Sequence, residues 1–194
     1  MFGPGFERLL AGARQGDERA WTEFYLALAP VVRGYLAGQG CPAPEDVTSE
    51  TMLQVVRDLH RFDGSEQEFR AGVFTIAHHR MVDARRRAQA RPVDATEQPT
   101  LERHIAPQSF EDEAIANLGP GEIDHLLGAV TPDQRDVLLL RYVADLSLHQ
   151  VAEVLGKEYD AVKALHRRAL GALRSQLPAP VSPHAAGGAL TSSG

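Results

Sequence analysis

The chain has 194 residues, 43% of them hydrophobic and 24% charged, with a formal net charge of −6. That length suits one large domain or two small ones joined by a linker, and the balance suits a globular protein. A single cysteine, Cys41, excludes an internal disulfide framework and fits a reducing compartment.

No apolar run approaches the roughly 20 residues that span a bilayer. No basic stretch followed by an apolar one marks a signal peptide, so a cytoplasmic protein with no membrane partner is expected. Aromatic residues make up only 6%. The core must therefore rest on Leu, Val, Ile and Ala, which favours small helical units over a sandwich.

The first block, 6–91, reads as four helices. Phe6, Leu9, Leu10 and Ala13 recur at helical spacing and Gly16 breaks the run. Asp17 can cap a second helix carrying Ala20, Trp21, Phe24, Leu28, Val31, Val32, Tyr35 and Leu36, with Pro30 as a kink point. After a loop over 38–44, a third helix spans 45–59 with Val47, Thr51, Val55 and Leu59 every fourth residue. Its acids lie at its start, where the helix dipole favours them. Residues 61–68 read as a polar loop. A fourth helix covers 69–90, with Phe69, Val73, Ile76, Ala77 and Val82 on its apolar face.

Residues 92–120 change character. Four prolines punctuate an acidic, polar stretch, read as a flexible linker with a short helix near 110–118. The second block, 121–177, opens on Ile123, Leu126, Leu127 and Val130. Thr131-Pro-Asp-Gln134 then starts a helix: Thr caps, Pro takes the first helical position and Gln completes a capping box. A second box, Ser147 to Gln150, starts a short helix that Gly156 ends. Asp160 is expected to cap a last helix with Val162, Leu165, Ala169, Leu170, Leu173 and Leu177 on one side. The tail, 178–194, is Pro-Ala-Gly-Ser and is expected to be disordered. The fold class is thus all-α, two small helical domains joined by an acidic linker.

A short helix, a tight turn and a longer helix form a helix-turn-helix pattern, whose second helix can enter the major groove. Its outward set is Tyr159, Asp160, Lys163, Ala164 and Arg167, with Arg168 alongside. The bland alternative is a solvated helix face. The net acidity is unevenly spread: residues 67–93 carry six Arg against two acids. There His79, Arg80, Asp83 and Arg87 share a flank with Arg86 slightly around from it, able to track a nucleic-acid backbone or merely to pair with neighbouring acids. His79 and Asp83 lie four apart, but no third ligand of the right type is near in sequence, so no metal is expected. No phosphate loop, nucleophile elbow or paired-acid motif appears, so neither a cofactor nor catalysis is expected.

Four segments in this order resemble the extracytoplasmic-function (ECF) sigma factors: Ala13-Arg-Gln-Gly-Asp17 with Ala20, Trp21 and Phe24; residues 45–59; residues 69–87; and 126–177 with Thr131 to Tyr142, Leu146-Ser147, Val151-Ala152, Leu155-Gly156, Val162-Lys163 and His166 to Leu170. The resemblance implies a sigma2-like domain over 6–91 and a sigma4-like domain over 121–177. It implies that Asp46, Glu50, Leu53, Gln54 and Arg57 dock on the β′ clamp coiled coil of core RNA polymerase, with the β flap as a second contact. It implies that the loop containing Arg61, Phe62 and Asp63 captures a flipped −10 base, and that His79, Arg80, Asp83, Arg86 and Arg87 contact the upstream −10 region. Tyr159, Asp160, Lys163, Ala164, Arg167 and Arg168 would face the −35 element. Promoter DNA, duplex and melted, is the implied ligand, and an anti-sigma factor is a candidate partner. The chain departs from the family at Gly72, where Trp is usual, at His79, where Asn is frequent, at Ser49, where Gln is usual, and at Ala164-Leu165, where Ser-Arg is frequent.

Other readings remain at this point: a stand-alone helix-turn-helix regulator, which leaves 6–91 as a sensor or dimerisation unit; a DNA-acting enzyme; and a helical interaction module.

Overall fold

The computed structural model describes residues 2–90 and 127–176. The linker with its expected short helix, the residues around Ile123, Leu177 and the tail lie outside the described residues. Every regular element among the described residues is a helix. Before the linker come α1 (Phe6–Arg14), α2 (Glu18–Gly38), α3 (Pro44–Asp58) and α4 (Glu66–Gln89). After it come α5 (Pro132–Tyr142), α6 (Leu148–Leu155) and α7 (Tyr159–Gln176).

The local signals explain most boundaries. Gly16 takes φ +80° between α1 and α2, and Asp17 caps α2 by accepting the Arg19 N–H at 2.9 Å. α2 runs on through Pro30. Thr131 and Ser147 both make the expected capping boxes, and Gly156 ends α6 at φ +60°.

Three expectations are corrected. α4 starts three residues earlier than its apolar pattern suggests, because Ser65 Oγ accepts the Glu68 N–H and the Glu68 carboxylate accepts the Ser65 N–H. A Leu59–Arg61 3-10 turn takes the other end of the expected 61–68 loop, leaving 62–65. α7 starts at Tyr159, its first-turn bond running from Val162 N–H to the Glu158 carbonyl. Asp160 therefore lies inside the first turn instead of capping it, still where the dipole favours an acid.

The N-terminal core joins Phe24, Leu28, Val32, Tyr35 and Leu36 of α2 to Val47, Thr51 and Val55 of α3 and to Val73, Phe74, Ala77 and Met81 of α4. Phe2, Phe6, Phe24, Phe62 and Phe69 form an aromatic cluster at one end, with centroids 4.9 to 6.3 Å apart. Tyr35 meets Phe74 edge to face, and its hydroxyl shares a 2.9 Å hydrogen bond with His78 Nδ1. The apolar face of α4 is wider than the expected stripe: Phe74 and Met81 are fully buried, while Ile76 and Val82 are only partly covered. The cause is that α4 packs against α2, α3 and α6 at once.

Val137, Leu139, Leu140, Leu146, Val151, Val162 and Ala169 build the C-terminal core. The two helical bodies are in contact, α4 on α6 and α2 on α5. A tether alone does not foretell this. Truncating Phe74 to Ala should cost about 3–5 kcal/mol, the usual range for a fully buried Phe, read as a lower midpoint in urea unfolding; a loss under about 1 kcal/mol would contradict its place in the core.

Candidate nucleic-acid and protein interface

Because Val47, Thr51 and Val55 turn inward, α3 must present its other face to solvent. Asp46, Leu53 and Arg57 are exposed there, and Glu50 and Gln54 are half-buried. Leu53 is 57% exposed and Val56 46%, an apolar pair on an otherwise polar helix face. Val56 belongs to this face and the sequence reading missed it; its place one residue after buried Val55 was the available signal.

α4 lies against α3 and carries the cations. His79, Asp83, Arg86 and Arg87 are exposed, with Arg86 3.7 Å from Asp83. Arg80 differs from its neighbours. Its guanidinium turns to α3, donating to Glu50 at 2.9 Å and to Gln54 at 3.3 Å. One −10 candidate is thus held by two residues of the candidate docking stripe. Gln54 in turn donates to Asp58 at 2.8 Å.

In the short loop before α4, Arg61 and Asp63 are exposed and Phe62 is partly buried on Phe69, centroids 5.4 Å apart. Phe62 also folds over Gly64, where an added Cβ would lie 2.9 Å from its ring. Gly72 is exposed, and a Cβ there would meet nothing within 4 Å, so the small residue leaves no hole in the core. His78 is not on the exposed flank. Burial first, with His79 and Arg85 adding, pushes its pKa down to about 4. Among the described residues no three His, Cys, Asp or Glu side chains converge as a metal site.

In the C-terminal body, Asp160, Lys163, Arg167 and Arg168 are exposed along α7, and Tyr159 and Ala164 are partly covered. Lys163, Ala164, Arg167 and Asp160 line an open groove of about 520 Å³. Two contacts that sequence reasoning missed fix this helix. The His149 ring of α6 stacks on Tyr159 at 3.9 Å and 14°, and the Tyr142 hydroxyl shares a 3.0 Å hydrogen bond with His166 Nε2. Neither has a sequence signal, because the partners meet only across packed helices. Arg168 is drawn back along the helix, its Nε donating to the Ala164 carbonyl at 3.2 Å.

Family models place this arrangement. Residues 23–91 match Sigma-70 region 2 and residues 126–175 match Sigma-70 region 4. The ECF RNA polymerase sigma factor SigD of Mycobacterium tuberculosis is 30% identical over 187 residues, covering 92% of this chain and 87% of that protein. The chain belongs to the ECF sigma factors. BldN of Streptomyces coelicolor, an ECF RNA polymerase sigma factor, is 28% identical over 172 residues; the match spans 88% of this chain and 65% of BldN.

Two solved structures share the ECF sigma factor's fold at lower identity. CnrH, solved in complex with the cytosolic domain of CnrY, aligns with TM-score 0.58 at 22% identity over 87% of this chain and 94% of that one. RpoE of Bartonella quintana, solved with the anti-sigma factor NepR, aligns with TM-score 0.58 at 18% identity over 79% and 94%. The match over 23–91 accounts for the block that a stand-alone helix-turn-helix regulator leaves unexplained. Among the described residues no helix is long and apolar enough to cross a membrane.

The Arg80–Glu50 pair is partly solvated, 29% and 44% exposed at the side chains. Glu50→Ala should therefore change unfolding free energy by less than about 1 kcal/mol, measured in urea; a loss of several kcal/mol would make the pair a structural prop instead of a surface tether.

Proposed function

We propose that this sigma factor docks on the β′ clamp coiled coil of core RNA polymerase through Asp46, Glu50, Leu53, Gln54, Val56 and Arg57. The observation that carries the reading is the adjacency of two unlike faces: an exposed stripe with apolar Leu53 and Val56 on α3, and the cationic flank of α4 packed beside it. A protein partner suits the first and a polyanion the second.

In this reading the domains are 6–91 and 121–177, joined over 92–120 by the acidic linker, and the tail is 178–194. Arg61, Phe62 and Asp63 form the mouth that receives a flipped −10 base. Extrusion costs a few kcal/mol of stacking, which loop and polymerase together must offset. His79, Arg80, Asp83, Arg86 and Arg87 contact the upstream −10 region, chiefly at phosphates. Tyr159, Asp160, Lys163, Ala164, Arg167 and Arg168 face the −35 duplex, with the β flap supporting that domain. Lys163 and Arg167 are the side chains suited to guanine acceptors or phosphates. Leu165 stands where the family frequently has Arg, so fewer cations are available for base contacts here.

The protein acts in the cytoplasm as an initiation factor and supplies no catalytic group; the chemistry belongs to the polymerase. An anti-sigma factor is a fitting regulator, since the relatives CnrH and RpoE were each solved with a partner protein.

Transcription in vitro with core polymerase and fragmented genomic DNA, followed by start-site mapping, tests this. Core-dependent starts at a shared bipartite motif are expected, and random or absent initiation would refute it. Arg167→Ala should reduce −35-dependent initiation about ten- to hundredfold, the span of one good base contact, while leaving core affinity unchanged; equal losses in both would remove Arg167 from the −35 surface.

A further inference from the structure

The segment Phe2-Gly-Pro-Gly-Phe6 is a motif that the docking and DNA surfaces leave unused. Gly3 takes φ +55°, which glycine adopts freely and other residues rarely, and Pro4 fixes the next φ. Together they wind Gly3–Gly5 into a 3-10 turn just before α1. The turn buries no residue of its own. Its effect is to fold the chain back, so that Phe2 and Phe6 enter one aromatic cluster, centroids 6.1 Å apart.

From that position Phe2 reaches the loop before α4 along two routes. The first is aromatic. Phe2 meets Phe24 edge to face at 4.9 Å, and Phe24 and Phe6 lie 5.3 and 5.6 Å from Phe69. Phe69 in turn carries Phe62 at 5.4 Å, the only aromatic side chain of the loop 62–65. The second route is polar. The N–H groups of Phe2 and Gly3 each donate to one carboxylate oxygen of Glu66, both at 2.8 Å. Glu66 is the first residue of α4, directly after the loop. One short segment thus holds both ends of the loop: Phe62 through packed rings, Glu66 through paired hydrogen bonds.

The loop depends on such anchors, because no regular element runs through it. On one side lies the Leu59–Arg61 turn, which rests on α1, and on the other the Ser65–Glu68 box. Phe62 also lies over Gly64 too closely for a Cβ, so a displaced ring changes the space around the loop's own backbone. A base taken out of its stack gives up stacking energy. A loop that must be ordered at the same moment adds an entropic cost. A loop already held in its receiving shape avoids that second cost, and it distinguishes one base from another more sharply than a loop that adapts.

We propose that residues 2–5 belong to the −10 reading head: Phe2 and the clamp on Glu66 hold the loop 62–65 in the shape that receives the extruded base. The inference rests on the sigma-factor reading above and deepens it. Phe2 is a positioning residue. It sets base preference through Phe69 and Phe62, without touching DNA itself. Arg61 and Asp63, exposed on either side of Phe62, are the polar groups whose placement this hold fixes.

The test uses the full chain in holoenzyme with a promoter library carrying every base at each −10 and −35 position. Phe2→Ala should reduce preference at the captured −10 base about two- to tenfold, the span of one aromatic pair. Preference at the upstream −10 positions, preference at −35 and affinity for core should not change. Phe2→Leu, which keeps an apolar side chain in the cluster, should restore most of the lost preference. Gly3→Val is a second variant that leaves the cluster's rings intact. A Cβ at Gly3 meets nothing within 4 Å, but a β-branched residue resists φ +55°, so the turn alone is disturbed and the same selective loss is expected. In a Phe62→Ala background, Phe2→Ala should add no further loss, because the ring through which it acts is gone. Preference unchanged in Phe2→Ala and Gly3→Val, a uniform loss at every promoter position, or a full additional loss in the Phe62→Ala background would each overturn the proposal. A wild-type chain that never directs core-dependent initiation would instead overturn the sigma-factor reading, and this inference with it.

Discussion

The packing of α3 against α4 is the constraint on which the rest depends. Once Val47, Thr51 and Val55 are turned toward Val73, Phe74, Ala77 and Met81, the helical period leaves no freedom for the opposite faces. The stripe from Asp46 to Arg57 must point out on one helix, and His79, Asp83, Arg86 and Arg87 must point out on the other. Two surfaces of different chemistry are thereby held side by side by one hydrophobic contact. Arg80 sits on their border and bonds to the α3 side. A change in what occupies Glu50 and Gln54 is therefore felt directly by a cation of the flank proposed to face DNA.

The same logic builds the second body on a smaller scale. α7 presents its cations because Val162, Ala169 and Leu173 are buried behind them, while the His149–Tyr159 stack holds the start of the helix and the Tyr142–His166 hydrogen bond its middle. The bodies then meet at Arg70, a cation removed from water. That is tolerable only because oxygens from Glu66, Ala144 and Asp145 surround it. Truncating either acid would leave a buried charge short of partners, which is why such a contact specifies one arrangement more than it adds stability.

Much of this was legible in the sequence, for identifiable reasons. Apolar spacing, Asp17, the Thr131 and Ser147 boxes and Gly156 are local signals, and local signals give local structure. The Ser65–Glu68 box was equally local and was overlooked because the apolar run begins only at Phe69. Phe74 and Met81 were missed on a different ground: α4 is covered on more than one side, so a single-stripe rule underestimates its buried face. Arg70 lay beyond sequence reasoning altogether. A charged residue beside an apolar run reads as solvated, and only the fold brings Asp145 within 2.6 Å of it. The site was legible as faces of helices, whereas the Arg80 tether and the His149–Tyr159 stack, both made between elements, were not.

Core binding is the claim that the account cannot do without. Titrating the fluorescently labelled full chain into core RNA polymerase measures it directly. The account predicts a saturable one-to-one complex that Leu53→Asp weakens at least about tenfold, as expected when a charge enters an apolar contact. No complex, or one indifferent to the outward face of α3, would contradict it.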